Sequence, residues 1–216
     1  SHHENQVQVH SEHAQLAVDA LLIASGRQPA TASLHPENAG IAVNERGAIV
    51  VDKRLHTTAD NIWAMGDVTG GLQFTYISLD DYRIVRDELL GEGRRSTDDR
   101  KNVPYSVFMT PPLSRVGMTE EQARESGADI QVVTLPVAAI PRARVMNDTR
   151  GVLKAIVDNK TQRMLGASLL CVDSHEMINI VKMVMDAGLP YSILRDQIFT
   201  HPSMSESLND LFSLVK

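Results

Sequence analysis

The second half of the sequence predicts an α+β domain, an antiparallel sheet with helices on one face. Two observations carry that prediction. Strand-like stretches follow one another at about 130–138, 152–158 and 164–171, the last two joined by the turn Asp158-Asn159-Lys160. Helical patterns follow, from Ser174 to Ala187 and from about Ser203 to the end. Strands first and helices after is the order that places helices together on one side of a sheet.

The elements follow from the N-terminus. Val7 and Val9 alternate with polar residues, a polar turn follows, and Leu16 and Val18 lead into the apolar run Ala20 to Ala24. This predicts a β-meander feeding a buried strand that Gly26 to Pro29 stops. "GAIVVD" (47–52) and "NIWAMGD" (61–67) predict two more short strands. Ser78 and Asp81 have capping-box spacing, so a helix is expected from Ser78 with Leu79, Tyr82, Val85 and Leu89 on its apolar face. The charged, Gly-containing tract 91–102 has the composition of a domain boundary. Beyond it "SVFMTPPLSRVGM" is strand-like, and Thr119 with Gln122 caps a short helix that Gly127 closes. The helix from Ser174 stops at Gly188-Leu189-Pro190. It is apolar nearly all round, through Met177, Ile178, Ile180, Val181, Met183, Val184 and Met185. Such a helix is either central to the core or shared with a second subunit.

Composition narrows the function classes. The 216 residues carry 21 Lys plus Arg against 27 Asp plus Glu, a net charge of -6, with the basic residues scattered. Neither nucleic acid nor an anionic membrane is expected as a partner. No apolar run approaches the roughly 18 residues of a membrane span. The polar start "SHHENQ" carries no signal-peptide core, and the only cysteine, Cys171, forms no internal disulfide, so a cytoplasmic location is expected.

Four stretches could carry chemistry. "GEGRRS" (91–96) has glycines but follows a helix, where a dinucleotide fingerprint needs a strand-to-helix turn, and it is set aside. Cys171, Asp173 and His175 alternate, yet without a fourth ligand they read as a buried thiol and two polar residues at a helix start, and no metal site is expected. Gly66-Asp67 ends an apolar segment, where a carboxylate can accept hydrogen bonds from ligand hydroxyls and Gly admits a ligand close to the backbone. His201 stands five residues before Glu206, with Pro202 between. Ser203 and Glu206 alone make a capping box; equally, Glu206 could hold the imidazole as a general acid/base.

In order and spacing, "LLIASGRQPAT", "TTADNIWAMGDVTG", "VPYSVFMTPPLSRVGMTEEQA", "SHEMI" and "HPSMSE" resemble the second half of a pyridine nucleotide-disulfide oxidoreductase, in the reactive-chlorine-resistance and mercuric-reductase-like branch. The resemblance implies a C-terminal dimerisation domain over 103–216, preceded by partial α/β segments: the tail of an NAD(P)H-binding domain (1–30) and the second segment of an FAD-binding domain (31–102). It implies that Gly66 and Asp67 meet FAD, that His201 and Glu206 are the catalytic acid/base pair, and that the helix from Ser174 lies at a homodimer interface. The parent would pass electrons from NAD(P)H through FAD and a cysteine pair, absent here, to a disulfide or another small oxidised acceptor. The fragment alone is expected to be inert and to retain neither cofactor. Departures from the family pattern are Ser203 for Thr, Pro112 for Glu and Ala30 for Asn. "QFTY" (73–76) is more like mercuric reductase, whereas the ending "LFSLVK" lacks that enzyme's cysteine pair. A metal-ion reductase and a purely non-catalytic dimerisation module are the alternatives.

Overall fold

The structure, a computed structural model, describes residues 2–3 and 6–216, and the chain divides into two units, Ser1–Asp99 and Arg100–Lys216. Among the described residues no helix is long and apolar enough to cross a membrane.

The second unit is built on a five-stranded antiparallel sheet of order β4-β5-β8-β7-β6. Its strands are β4 (Tyr105–Val107), β5 (Leu113–Gly117), β6 (Ile130–Pro136), β7 (Val152–Asp158) and β8 (Met164–Leu170). Period-two alternation and register together line up the core face. Leu135, Leu153 and Leu169 form one row across the sheet, and Val133, Ala155, Ala167 and Val116 the next. All seven are buried. The strand-like segment before Gly117 is two strands, β4 and β5, with a cis Thr110–Pro111 bond between them.

Helices α4 (Ser174–Asp186), α5 (Ser192–Asp196) and α6 (Ser207–Ser213) close over those rows, placing Met177, Ile178, Val181, Leu194, Leu208, Leu211 and Phe212 in the same core. The α+β architecture with helices on one face is therefore present. Ser114 ends the Leu135 row as a buried hydroxyl, and it is satisfied: its Oγ lies 2.7 Å from Ser106 Oγ and 2.9 Å from Ser174 Oγ. This relay ties the start of α4 to two strands. Of the remaining helices, α2 (Glu120–Glu125) has the full capping box read from Thr119 and Gln122. Neither α3 (Pro141–Val145) nor α5 was expected from the sequence. The last helix begins at Ser207 and not at Ser203, and residues 204–206 ahead of it form a turn.

The first unit departs further from the sequence reading. A three-stranded antiparallel sheet of β1 (His2–His3), β2 (Gln6–His10) and β3 (Gln15–Val18) confirms the meander. The expected buried strand over Ala20 to Ala24 is not formed: Leu22 is 87% and Ile23 77% exposed, since no strand among the described residues pairs with this run. "GAIVVD" and "NIWAMGD" make only isolated bridges, Val43 to Ile49 and His56 to Trp63. Side chains supply the order a ladder would have given. Asn44 Oδ1 accepts from the N–H groups of Arg46 and Ala48, and Asp52 Oδ1 from those of Arg54 and His56.

Helix α1 (Thr75–Leu90) starts three residues before Ser78 and turns a different face inward. Ile77, Asp81 and Ile84 are buried, whereas Leu79, Tyr82 and Leu89 are exposed. "GEGRRS" closes on itself, the Arg94 and Arg95 N–H groups both donating to Asp87 Oδ2.

Phe212 is fully buried and its ring lies 6.1 Å from that of Tyr191. Phe212→Ala is expected to cost about 3–5 kcal/mol in urea unfolding. Thr119→Ala, which removes only the cap of α2, is expected to cost about 1 kcal/mol.

Candidate active site

Two groups of residues read from the sequence are assembled, one in each unit. In the first, Met65 is extended and Gly66, at φ 78°, turns the chain into a single 3-10 turn, Gly66–Thr69. An L side chain is strained at that φ, and a Cβ on Gly66 would also lie 3.0 Å from Ser78 Oγ. The turn is closed by Thr69 Oγ1 donating to Gly66 O at 2.9 Å and by Gly70 N–H donating to Asp67 O at 3.0 Å. From α1, Asp81 Oδ2 accepts the Gly66 N–H at 2.7 Å.

That bond fixes the turn from beneath, and Asp67 projects from it half-exposed, with Arg27 Nη1 3.4 Å from its Oδ2. An open, largely polar cleft of about 1080 Å³ lies beside it, lined in part by Gly26, Arg27, Asn44, Gly70 and Gln73. An ionised carboxylate only accepts hydrogen bonds, so an exposed one on a fixed turn suits a ligand rich in hydroxyl donors. The sequence reading missed Asp81 because its spacing from Ser78 imitates a cap. The available signal was a carboxylate placed i+4 from Ile77 and three before Ile84, inside the apolar stripe.

In the second unit, the chain leaves α5, passes through Phe199, which packs on the core, and reaches a cis His201–Pro202 bond. His201 Nδ1 lies 2.8 Å from Glu206 Oε2 and 2.9 Å from Oε1. A carboxylate cannot donate, so Nδ1 carries the hydrogen and Nε2 is the nitrogen left to exchange a proton. The side chain of His201 is 67% exposed. Ser203 Oγ accepts the Glu206 N–H at 3.2 Å, so half of the capping box is made. The Glu206 carboxylate is committed to the imidazole. Met204, 3% exposed, anchors the turn between them.

Cys171, Asp173 and His175 do not converge. Cys171 is buried with its Sγ 3.9 Å from Met177 Sδ, and Asp173 adopts φ 59° as the N-cap of α4. Among the described residues no group of three His, Cys, Asp or Glu side chains could hold a metal ion. Burial, reinforced by the charges of Asp173 and Asp148, pushes the Cys171 thiol up to about 12.

Residues 103–212 match the model of the pyridine nucleotide-disulphide oxidoreductase dimerisation domain, and residues 1–81 match a second pyridine nucleotide-disulphide oxidoreductase model. The chain belongs to the pyridine nucleotide-disulphide oxidoreductase family. The five-stranded sheet and its helices are thus the family's dimerisation domain, preceded by a segment that matches the second family model.

Among curated family members, mercuric reductase from Staphylococcus aureus is 34% identical over 202 residues, 94% of this chain and 37% of that protein. Mercuric reductase from Streptomyces lividans is 36% identical over 194 residues, 90% of this chain and 41% of that protein. The structure of the HOCl-induced flavoprotein disulfide reductase RclA from Escherichia coli matches all of this chain and 49% of that one, at 99% identity and a TM-score of 0.97. A Cu(II) complex of the same flavoprotein gives a TM-score of 0.98. The fold alone is shared with LpdA from Mycobacterium tuberculosis, at 23% identity and a TM-score of 0.84 over 93% of this chain and 43% of that one. The chain spans between about a third and a half of the length of these relatives.

Asp81→Ala strands the Gly66 N–H and is expected to cost about 1–3 kcal/mol in urea unfolding, with a smaller loss for Asp81→Asn, which keeps an acceptor. Cys171 is expected to resist a thiol reagent in the native chain and to react once urea unfolds it. Its folded value lies above the ordinary value of 9.0, so the unfolded chain loses that proton first. The resulting stability is complete below pH 9 and is lost as pH rises toward 12. Relative to Cys171→Ala, the native chain should therefore weaken progressively in alkaline urea titrations.

Proposed function

We propose that this chain is the C-terminal half of an NAD(P)H-dependent flavoprotein that reduces a disulfide or another small oxidised acceptor, and that it works as a homodimer. The observation that carries the reading is the grip of Glu206 on His201 Nδ1, at 2.8 and 2.9 Å, with the imidazole otherwise exposed. Glu206 fixes the tautomer and ring orientation, and Nε2 is free to give a proton to a departing thiolate and to take one back. Cys171 is the sole cysteine and is buried, so it does not serve as a redox pair. The thiols served by His201 belong to residues outside these 216.

The first unit fits FAD on three counts. Gly66 adopts a φ of 78° that an L side chain resists and that shapes the turn, Asp81 immobilises the turn, and Asp67 offers an exposed acceptor for the hydroxyls of a ribityl chain. The chemistry that bound FAD would supply there is acceptance of a hydride from NAD(P)H and onward transfer of the electrons. Residues 1–30 are then the tail of the NAD(P)H domain, 31–102 the second FAD segment and 103–216 the dimerisation domain. In this reading α4 faces the partner, which accounts for an apolar side chain, Met183, at 70% exposure among the polar residues of its outer face. A cytoplasmic location agrees with the absence of disulfides.

A second reading, reduction of a metal ion, is favoured by the mercuric reductases among the relatives and by the Cu(II) complex of the flavoprotein that matches at 99%. Steady-state assays of the full-length enzyme with a disulfide, Hg(II) and Cu(II) as acceptors separate the two.

His201→Ala in the full-length enzyme is expected to lower turnover by roughly 10²–10⁴-fold. Unchanged turnover would leave this half a dimerisation module without catalytic residues. The 216-residue chain by itself is expected to bind no stoichiometric FAD and to oxidise no NAD(P)H, as read by absorbance after gel filtration.

A further inference from the structure

Asn209 lies one turn beyond Glu206, on the same side of the helix that Glu206 opens. Its Nδ2 donates to three backbone carbonyls, Leu194 O at 2.7 Å, Arg195 O at 3.0 Å and Gln197 O at 3.0 Å. An amide nitrogen has two hydrogens, so at least one is shared between acceptors. The three carbonyls belong to the end of α5 and the residue after it, where a helix leaves its last C=O groups without partners of its own.

Four residues after Gln197 comes His201, held by Glu206. The α6 segment therefore grips the preceding strap at both ends, with Asn209 at 194–197 and Glu206 at 201. Between the grips Ile198 is 94% exposed, and Phe199 alone packs on the core. Phe199 and Met204 anchor the chain on either side of His201, and the two polar grips add to that anchoring in fixing where the imidazole stands. Moreover, asparagine is a poorer helix former than alanine, so its place inside α6 is explained by the carbonyls it binds and not by helix stability.

We propose that Asn209 is a positioning residue for the proton-transfer histidine, setting the reach of His201 by pinning the α5 end of its strap. The inference rests on the reading of His201 and Glu206 as the acid/base pair.

The test uses the full-length flavoprotein carrying Asn209→Asp, which is nearly isosteric but sets a carboxylate against three carbonyls. Asn209→Ala, which favours the helix, guards against misfolding. Each variant is made with His201 intact and with His201→Ala. Turnover is followed with NADH and either dithiobis(nitrobenzoate) or Cu(II) as acceptor, and the amide exchange of residues 197–201 is measured in parallel. The expected result is faster exchange across the strap and a kcat roughly ten- to a hundred-fold lower. The KM for NADH and the flavin content stay unchanged, and no further loss appears when His201 is already Ala. Unaltered exchange, wild-type kcat in both Asn209 variants, or an equal loss without His201 would each overturn the proposal. Wild-type turnover in His201→Ala alone would overturn the acid/base reading on which it rests, and that result is visible independently of the exchange data.

Discussion

The burial of one face of α6 is the constraint on which the C-terminal unit turns. Leu208, Leu211 and Phe212 are completely buried and meet the core face of the sheet along with Leu153 and Leu169. Each such side chain contributes roughly 1.5–3 kcal/mol when removed from water. That apolar anchor fixes the axis of a helix only seven residues long, one that would not persist in isolation. Once the axis is fixed, the polar positions around it become rigid attachment points. Glu206 and Asn209 hold the strap that precedes the helix, and the position of His201 is inherited from packing several residues away.

The N-terminal unit solves a similar problem with a carboxylate in place of an apolar face. Asp81 is 2% exposed on α1, between Ile77 and Ile84. A buried carboxylate is costly unless it is paired, and its bond to the Gly66 N–H meets part of that demand. The same bond orients the neighbouring Asp67 toward solvent. In both units, then, an exposed polar residue is held in place by a neighbouring carboxylate, Asp81 beneath Asp67 and Glu206 beside His201.

The sequence made the second sheet legible because β6, β7 and β8 are short apolar-rich runs and β7 and β8 meet at a turn. The first unit was hard to read for a physical reason. Its backbone groups are claimed by Asn44, Asp52 and Thr58 side chains, so apolar runs that look like strands end as isolated bridges. Helix α1 was placed on the wrong face because a cap-like Ser78 and Asp81 fall inside it. Of the site, the proximity of His201 and Glu206 could be read from their spacing across Pro202, and Gly66 from its place at the end of an apolar segment. Asp81 left one signal, a carboxylate inside an apolar stripe, but Asn209 could not be read, since it acts on backbone groups distant in sequence and nothing local distinguishes such a donor from an ordinary polar residue.

The burial of Cys171 also decides where an oxidant strikes this part of the molecule. Its thiolate is scarce and inaccessible, so thiol oxidation is slow. The surface nonetheless displays thioethers at Met65, Met109, Met118 and Met183. Oxidative damage to these residues therefore takes the form of methionine sulfoxide, a polar and enzymatically reversible lesion, on side chains other than the His201–Glu206 pair.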